Sequence, residues 1–101
     1  MLDYQIVVGT LLHHIDKINE SIDKGDARGA FFNLYHAIGY SQTALNLPDL
    51  TEAEMKVFRD INRKVFCSFA KLMSNVCCYH SDSNYVRFTP FDLNELKIEY
   101  K

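Results

Sequence analysis

The sequence predicts a mainly α protein, a three-helix antiparallel bundle followed by a short C-terminal β-hairpin or extended tail. In three long segments, apolar residues recur at steps of three and four, the spacing that places them on one helical face. Turn-forming residues separate these segments, and the final part of the chain loses the helical period. With a hydrophobic fraction of 48%, including seven Phe and six Tyr, we expect residues 1–101 to form a single helical domain.

The first predicted helix covers about residues 3–23. Its apolar stripe consists of Tyr4, Val8, Leu11, Ile15, Ile18 and Ile22. Asp3 places an acidic group near the N-terminus, where the helix dipole favours it. Gly25 follows the last apolar residue, and it ends the helix because glycine readily adopts a positive φ.

The second predicted helix covers about residues 27–46, with Asp26 as its N-cap. Its stripe consists of Ala27, Phe31, Leu34, Ile38, Ser41 and Leu45. Pro48 stops the helix, because the residue before a proline disfavours helical geometry.

The third predicted helix covers about residues 52–79 and has the strongest start signal. Thr51 and Glu54 have the spacing of a capping box. The apolar stripe continues to Tyr79, so this helix is predicted to be longer than the other two. We therefore expect its far end to pack on the C-terminal tail or on a second chain.

The tail, residues 81–101, begins with a loop over Ser81–Asn84 and then becomes rich in strand-forming residues. Tyr85–Thr89 and Leu96–Tyr100 favour extended structure, and the preferred interpretation pairs them as a hairpin. In the alternative, Asp92 caps a final helical turn.

Charge and cysteine content limit the classes of function. The formal net charge is −2, which does not favour a protein that binds DNA over its whole surface. The three cysteines are odd in number and include the adjacent pair Cys77-Cys78, so a reducing compartment is the simpler expectation. The beginning of the sequence lacks a secretory signal and no segment is apolar enough to span a bilayer. These features predict a cytoplasmic location without a membrane partner.

Two clusters of metal-ligating residue types occur, Cys77-Cys78-Tyr79-His80 and His13-His14. Neither has the ligand spacing that zinc sites use, so we expect no metal and no cofactor. A Cys–His nucleophile pair has no supporting local motif. The sequence therefore predicts that the protein is not an enzyme.

The second helix carries aromatic and polar uncharged residues on the side opposite its apolar stripe, namely Phe32, His36, Tyr40 and Thr43. A helix that is apolar or aromatic on most sides is normally covered on most sides. One interpretation places this helix centrally, with the tail over its second face. The other makes these four residues an interface with another copy or with a partner protein.

A basic stripe on the third helix consists of Lys56, Arg59 and Arg63 on one side, with Lys64 and Lys71 on an adjoining strip. Such a stripe binds phosphates or an acidic partner surface in some proteins and is an ordinary solvated helix face in others. No Gly-rich loop accompanies it, so a P-loop nucleotide site is not predicted.

These patterns together predict a small interaction protein, an adaptor, regulator or inhibitor that binds a partner macromolecule through helical faces. We expect a protein partner and a homo-oligomer such as a homodimer. The alternative is a binder of a small anionic ligand, such as a nucleotide, in an interchain pocket where the basic stripe holds the anion and Tyr40 or His36 stacks on a ring. Nucleic acid is a further partner class that the basic stripe allows.

Overall fold

The computed structural model describes residues 4–80 and 85–100, and it confirms the predicted fold class of three helices and a small antiparallel sheet. Its elements in chain order are α1 (Tyr4–Asp23), α2 (Ala27–Leu45), α3 (Glu52–Met73), β1 (Val76–His80), β2 (Tyr85–Phe88) and a 3₁₀ helix (Leu93–Leu96). Asp3, where the first helix was predicted to begin, lies outside the described residues.

The predicted helix starts are confirmed by their capping contacts. The backbone N–H of Gly29 donates to Asp26 Oδ1 (2.8 Å), which caps α2. At α3, the backbone N–H of Glu54 donates to Thr51 Oγ1 (3.1 Å), and the backbone N–H of Thr51 donates to Glu54 Oε1 (3.0 Å). These contacts satisfy N–H groups that have no partner inside the helix. Gly25, at φ 71°, makes the turn between α1 and α2.

The predicted third helix, residues 52–79, is too long. α3 ends at Met73, and β1 begins at Val76. The side chains of Ser74 and Asn75 both donate to the backbone oxygen of Lys71, at 2.7 and 3.0 Å, so they take a carbonyl that the helix would use if it continued. Beyond them, the short run Val76–His80 fits a helical stripe and a strand equally well.

One strand of the predicted hairpin is correct, because Tyr85–Thr89 contains β2, but the predicted partner strand is wrong. β2 pairs antiparallel with β1, which precedes it, in a register that joins Val76 to Phe88 and has an irregularity between Val76 and Cys78. The segment Leu96–Tyr100 forms no strand. The alternative is confirmed instead: Asp92 caps the 3₁₀ helix by accepting from the backbone N–H of Asn94 (3.0 Å). The predicted loop over 81–84 lies outside the described residues.

α2 occupies the centre of the bundle. α1 and α3 each pack along α2 and touch each other little. The C-terminal segment lies in the groove between α1 and α3, where the Leu96 side chain is fully buried and Ile98 nearly so. The tail therefore completes the core at the α1–α3 groove, and the outward side of α2 is a different surface.

Hydrogen bonds fix the backbone of the tail in this groove. The Asn19 side chain makes two of them with Ile98: Nδ2 donates to the Ile98 oxygen (2.8 Å), and Oδ1 accepts from the Ile98 N–H (3.0 Å). From the other wall, Ser68 Oγ donates to the Leu96 oxygen (2.7 Å). Because the extended segment has no strand neighbour there, these side chains satisfy backbone groups that burial would otherwise leave unpaired.

Candidate functional site

The α2 helix has one buried side and one side facing solvent. Its buried residues are Ala30, Phe31, Leu34, Ala37, Ser41 and Ala44. The opposite side, called here the α2 outer face, consists of Arg28, Phe32, Tyr35, His36, Gly39, Gln42 and Thr43. All of these are exposed except Phe32, which is half-buried. Arg28 is the one charged residue among these seven, and a solvent-facing helix surface normally carries more charge than this.

The four residues predicted for partner binding do not all lie at the centre of this face. His36 and Thr43 are exposed on it, and Phe32 is half-buried within it. Tyr40 lies at its edge, half-buried, with its ring edge-on to the ring of His14 at a centroid distance of 5.8 Å. The structure thus brings three of the four together and places Tyr40 between α1 and α2.

Tyr35 is the residue that sequence reasoning missed. Its side chain is 62% exposed, the largest exposed fraction among the described large hydrophobic residues. The signal was available, because Tyr35 lies three residues after Phe32 and four before Gly39, the spacing of one helical face.

A cluster of aromatic rings centred on Phe31 packs against the ring of Tyr35. The ring of buried Phe31 stacks with that of Tyr35 at 6.4 Å and also contacts the rings of Phe32, Phe69 and Phe88 at 5.7 to 6.2 Å. Contacts from α2, α3 and β2 therefore hold Phe31 in place. An exposed tyrosine that rests on such a cluster loses little side-chain freedom when it is covered, which lowers the entropic cost of binding.

His14 on α1 lies close to His36 of the α2 outer face and to its own neighbour His13. His13 and His14 have ring centroids 6.2 Å apart. Burial lowers the pKa of His14 from its ordinary value of 6.5, and the charges of nearby His13 and His36 lower it further. His14 is therefore mainly neutral at pH 7. Within the described part of the chain, no three His, Cys, Asp or Glu side chains are arranged to hold a metal ion.

The predicted basic stripe divides into two parts. Lys56 and Arg59 are exposed on α3. Arg63 and Lys64 share the carboxylate of Asp60, at 2.8 and 3.4 Å. The hydrogen bond from Arg63 is the largest cause that lowers the pKa of Asp60. Lys64 also donates to the Glu99 oxygen (3.0 Å) and lies 5.0 Å from the centre of the Tyr100 ring.

Arg63 and Lys64 line a cleft of about 320 Å³ between α3 and the tail. Lys71 and Lys97 add two more cations to its walls, whereas Glu95 and Glu99 add two carboxylates. Lys97 is also ion-paired with Asp23 on α1 (2.6 Å). Positive and negative groups are thus mixed around the cleft, which weakens its attraction for an anion. The sequence does not reveal Lys97 as part of this surface, because nothing in it shows that the tail packs against α3.

Comparison of the chain with protein-family models, with curated proteins and with solved structures finds no match. Among the helices of the described residues, none combines the length and the apolar character needed to cross a membrane. The geometry of the surfaces is therefore the basis for a functional proposal.

Proposed function

We propose that this protein is a small non-enzymatic interaction protein, an adaptor, regulator or inhibitor, that docks on a protein partner through the α2 outer face. The observation that carries the proposal is the exposure of Tyr35 and its neighbours on a face where Arg28 is the one charged residue. Tyrosine and other aromatic residues dominate the binding energy at many protein interfaces, where charged residues are depleted.

The packing of α2 supports this choice of surface. The tail fills the groove between α1 and α3, so it does not explain the aromatic residues on the outward side of α2. The cleft beside Arg63 and Lys64 has mixed charge. The binding of a small anion there therefore has weaker support than docking of a protein on the α2 outer face. Action as a homo-oligomer and a cytoplasmic location belong to the same proposal; the second rests on the odd number of cysteines.

The proposal is tested by placing a charge on the α2 outer face. We expect Tyr35→Asp to abolish capture of a partner from a lysate of the source cells, because a buried unpaired carboxylate is strongly unfavourable in an interface. The immobilised wild-type chain is compared with the variant, and circular dichroism confirms that both are folded.

Gln5→Asp is the matched control, since Gln5 is exposed on α1, away from the α2 outer face. A partner retained by the wild type and by Gln5→Asp but lost with Tyr35→Asp supports the proposal. Equal retention by all three chains would show that the docking surface lies elsewhere.

A further inference from the structure

We propose that the docking surface extends from α2 onto α3, and that it binds an amphipathic helix of a partner protein with acidic residues near both of its ends. This inference rests on the proposed function and names the chemistry of the partner. The surface, called here the α2–α3 surface, consists of Tyr35 on α2, of Phe66, Phe69 and Met73 on α3, and of the flanking arginines Arg28 and Arg59.

Two contacts show which side of α3 lies against α2. Asn62 Nδ2 donates to Ser41 Oγ (2.7 Å). The ring of Phe69 lies 5.8 Å from that of Phe31. The later residue on α3 meets the earlier residue on α2, so the two helices are antiparallel. Phe66 is four residues after Asn62 and three before Phe69, and it therefore lies on the same side of α3.

Tyr35 and Phe66 lie at the same height on the two helices. Tyr35 falls between the two α2 residues of these contacts, and Phe66 falls between their two partners on α3. Their side chains are 62% and 40% exposed, so they flank the groove between the helices from either side. Met73, 38% exposed, lies seven residues after Phe66 on the same side of α3. Among the described residues, three of the four exposed large hydrophobic side chains thus share this surface.

The apolar row has a cation at each end. Arg28 is seven residues before Tyr35, and Arg59 is seven residues before Phe66. Each arginine is therefore two turns away from the aromatic residue of its own helix and on the same side. Because the helices are antiparallel, the two arginines lie at opposite ends, about 20 Å apart. Both are exposed, and neither forms an ion pair with another described residue.

Acidic residues are scarce between the two arginines. α2 contains no Asp or Glu. From residue 59 to residue 73, α3 contains only Asp60, whose carboxylate is paired with Arg63 and Lys64. Glu52 lies at the start of α3, outside this part. The surface is thus apolar at its centre and positive at its ends, so a complementary partner is apolar at its centre and negative at its ends.

The groove between two helices favours a helix as the occupant. It accepts a ridge of side chains from a third helix, and methionine beside aromatic rings adapts its shape to such a ridge. The same surface of a second copy is not complementary, because it would bring four arginines together. The other amphipathic helix of this chain, α1, does not fit either, since its apolar side is buried in its own core.

Selection from a displayed library of random twenty-residue peptides, with the full wild-type chain as bait, tests the chemistry of the occupant. We expect the retained peptides to have apolar residues at helical spacing and Asp or Glu near both ends, about 14 residues apart. Retained peptides without this acidic enrichment would overturn the inference, and so would a library that yields no binder.

The affinity of one selected acidic peptide for variants of the chain tests the location of the site. We expect Phe66→Asp to weaken binding by at least about tenfold, because it places a carboxylate in the apolar centre. Ile6→Asp is the matched control, since Ile6 is also exposed (54%) but lies on α1. Circular dichroism confirms that both variants are folded. Equal affinities of the two variants would contradict a site on the α2–α3 surface.

Charge exchange tests the role of the two arginines. Arg28→Glu and Arg59→Glu should each weaken the acidic peptide by about fivefold. Lys71→Glu is the control, because Lys71 is also exposed on α3 but lines the cleft beside the tail. A twin peptide with lysine in place of its acidic residues should bind the double arginine variant more tightly than the wild type. An unchanged preference for the acidic peptide in the double variant would overturn the charge assignment.

Two further results separate this inference from the proposed function. A captured protein that is lost with Tyr35→Asp but retained by Phe66→Asp and by both arginine variants would overturn the inference and leave docking through the α2 outer face intact. Retention by Tyr35→Asp would overturn both. Binding of labelled oligo(U) that is lost with Phe66→Asp would make the α2–α3 surface a nucleic-acid site, which also overturns the inference.

Discussion

The imidazole of His14 is held between α1 and α2, against the ring of Tyr40. Burial is the first cause that lowers its pKa, and the neighbouring His13 and His36 are the second and third. All three causes disfavour the protonated ring, so the folded chain binds a proton at this position less readily than the unfolded chain does. Protonation of His14 therefore lowers the free energy of unfolding.

This linkage predicts a decrease in the free energy of unfolding as the pH falls below 6.5, the ordinary pKa of the group. The loss ends below the lowered pKa of folded His14, where both states are protonated. Urea unfolding at a fixed protein concentration follows the change, and it is measured well above pH 4.5, the ordinary pKa of Glu20, so that little of this carboxylate is protonated in the unfolded chain.

His14→Gln should remove most of this pH dependence, whereas His13→Gln should leave the larger part of it, because burial of His14 is the first cause. An unchanged pH dependence in His14→Gln would contradict the assignment.

Individual residues of the candidate site were only partly predictable from the sequence. The helical spacing places His36 and Thr43 on the outward side of α2 correctly. It does not show that Tyr40 packs against His14, because that contact depends on how closely α1 lies beside α2. Tyr35 was missed although its spacing was informative, and the spacing does not show that its ring stacks on that of buried Phe31.

The start of α3 depends on local chemistry alone. The Thr51 hydroxyl and the Glu54 carboxylate satisfy each other's backbone N–H groups, at 3.1 and 3.0 Å. Residues three positions apart make these contacts, so no other part of the fold is needed.

Thr51→Ala removes one half of this capping box. We expect it to lower the free energy of unfolding by about 0.5–2 kcal/mol, the usual range for the loss of an N-cap side chain. Thr10→Ala is the control. The Thr10 hydroxyl donates to the Ile6 oxygen inside α1 (2.9 Å) and caps nothing.

Thermal or urea unfolding compares the two threonine variants with the wild type. A loss in Thr51→Ala no larger than that in Thr10→Ala would show that the capping box contributes little.

The two ends of α3 differ in how well the local sequence predicts them. Its start is encoded by two residues that contact each other. Its end depends on Ser74 and Asn75, and also on the residue that follows β2, because the Thr89 N–H donates to the Asn75 oxygen (2.7 Å). A helical stripe that continues through Val76 therefore predicts a longer helix than the one that forms.

At the scale of the whole molecule, the tail acts as the layer that joins α1 to α3. Leu96 is fully buried there, and Leu93 in the same 3₁₀ helix is half-buried. The three-helix arrangement was predictable from periodicity and turns. The position of the tail was not, because residues on two distant helices, Asn19 and Ser68, determine it.

Leu96→Ala should lower the free energy of unfolding by about 2–5 kcal/mol, since it removes buried methyl groups and leaves a cavity between the helices. Leu93→Ala, the control, should cost clearly less because Leu93 is partly exposed. Equal losses in the two variants, measured by urea unfolding at one protein concentration, would show that the tail is not an integral part of the core.

The position of Leu96 and Ile98 has a consequence for biosynthesis. A ribosome makes the chain from its N-terminus, so all three helices emerge before the residues that fill the α1–α3 groove. Nascent chains that have not yet extended to Ile98 keep this apolar groove open to solvent or to a chaperone. Stable closure of the bundle is therefore expected late, as the tail leaves the exit tunnel, rather than stepwise as each helix appears.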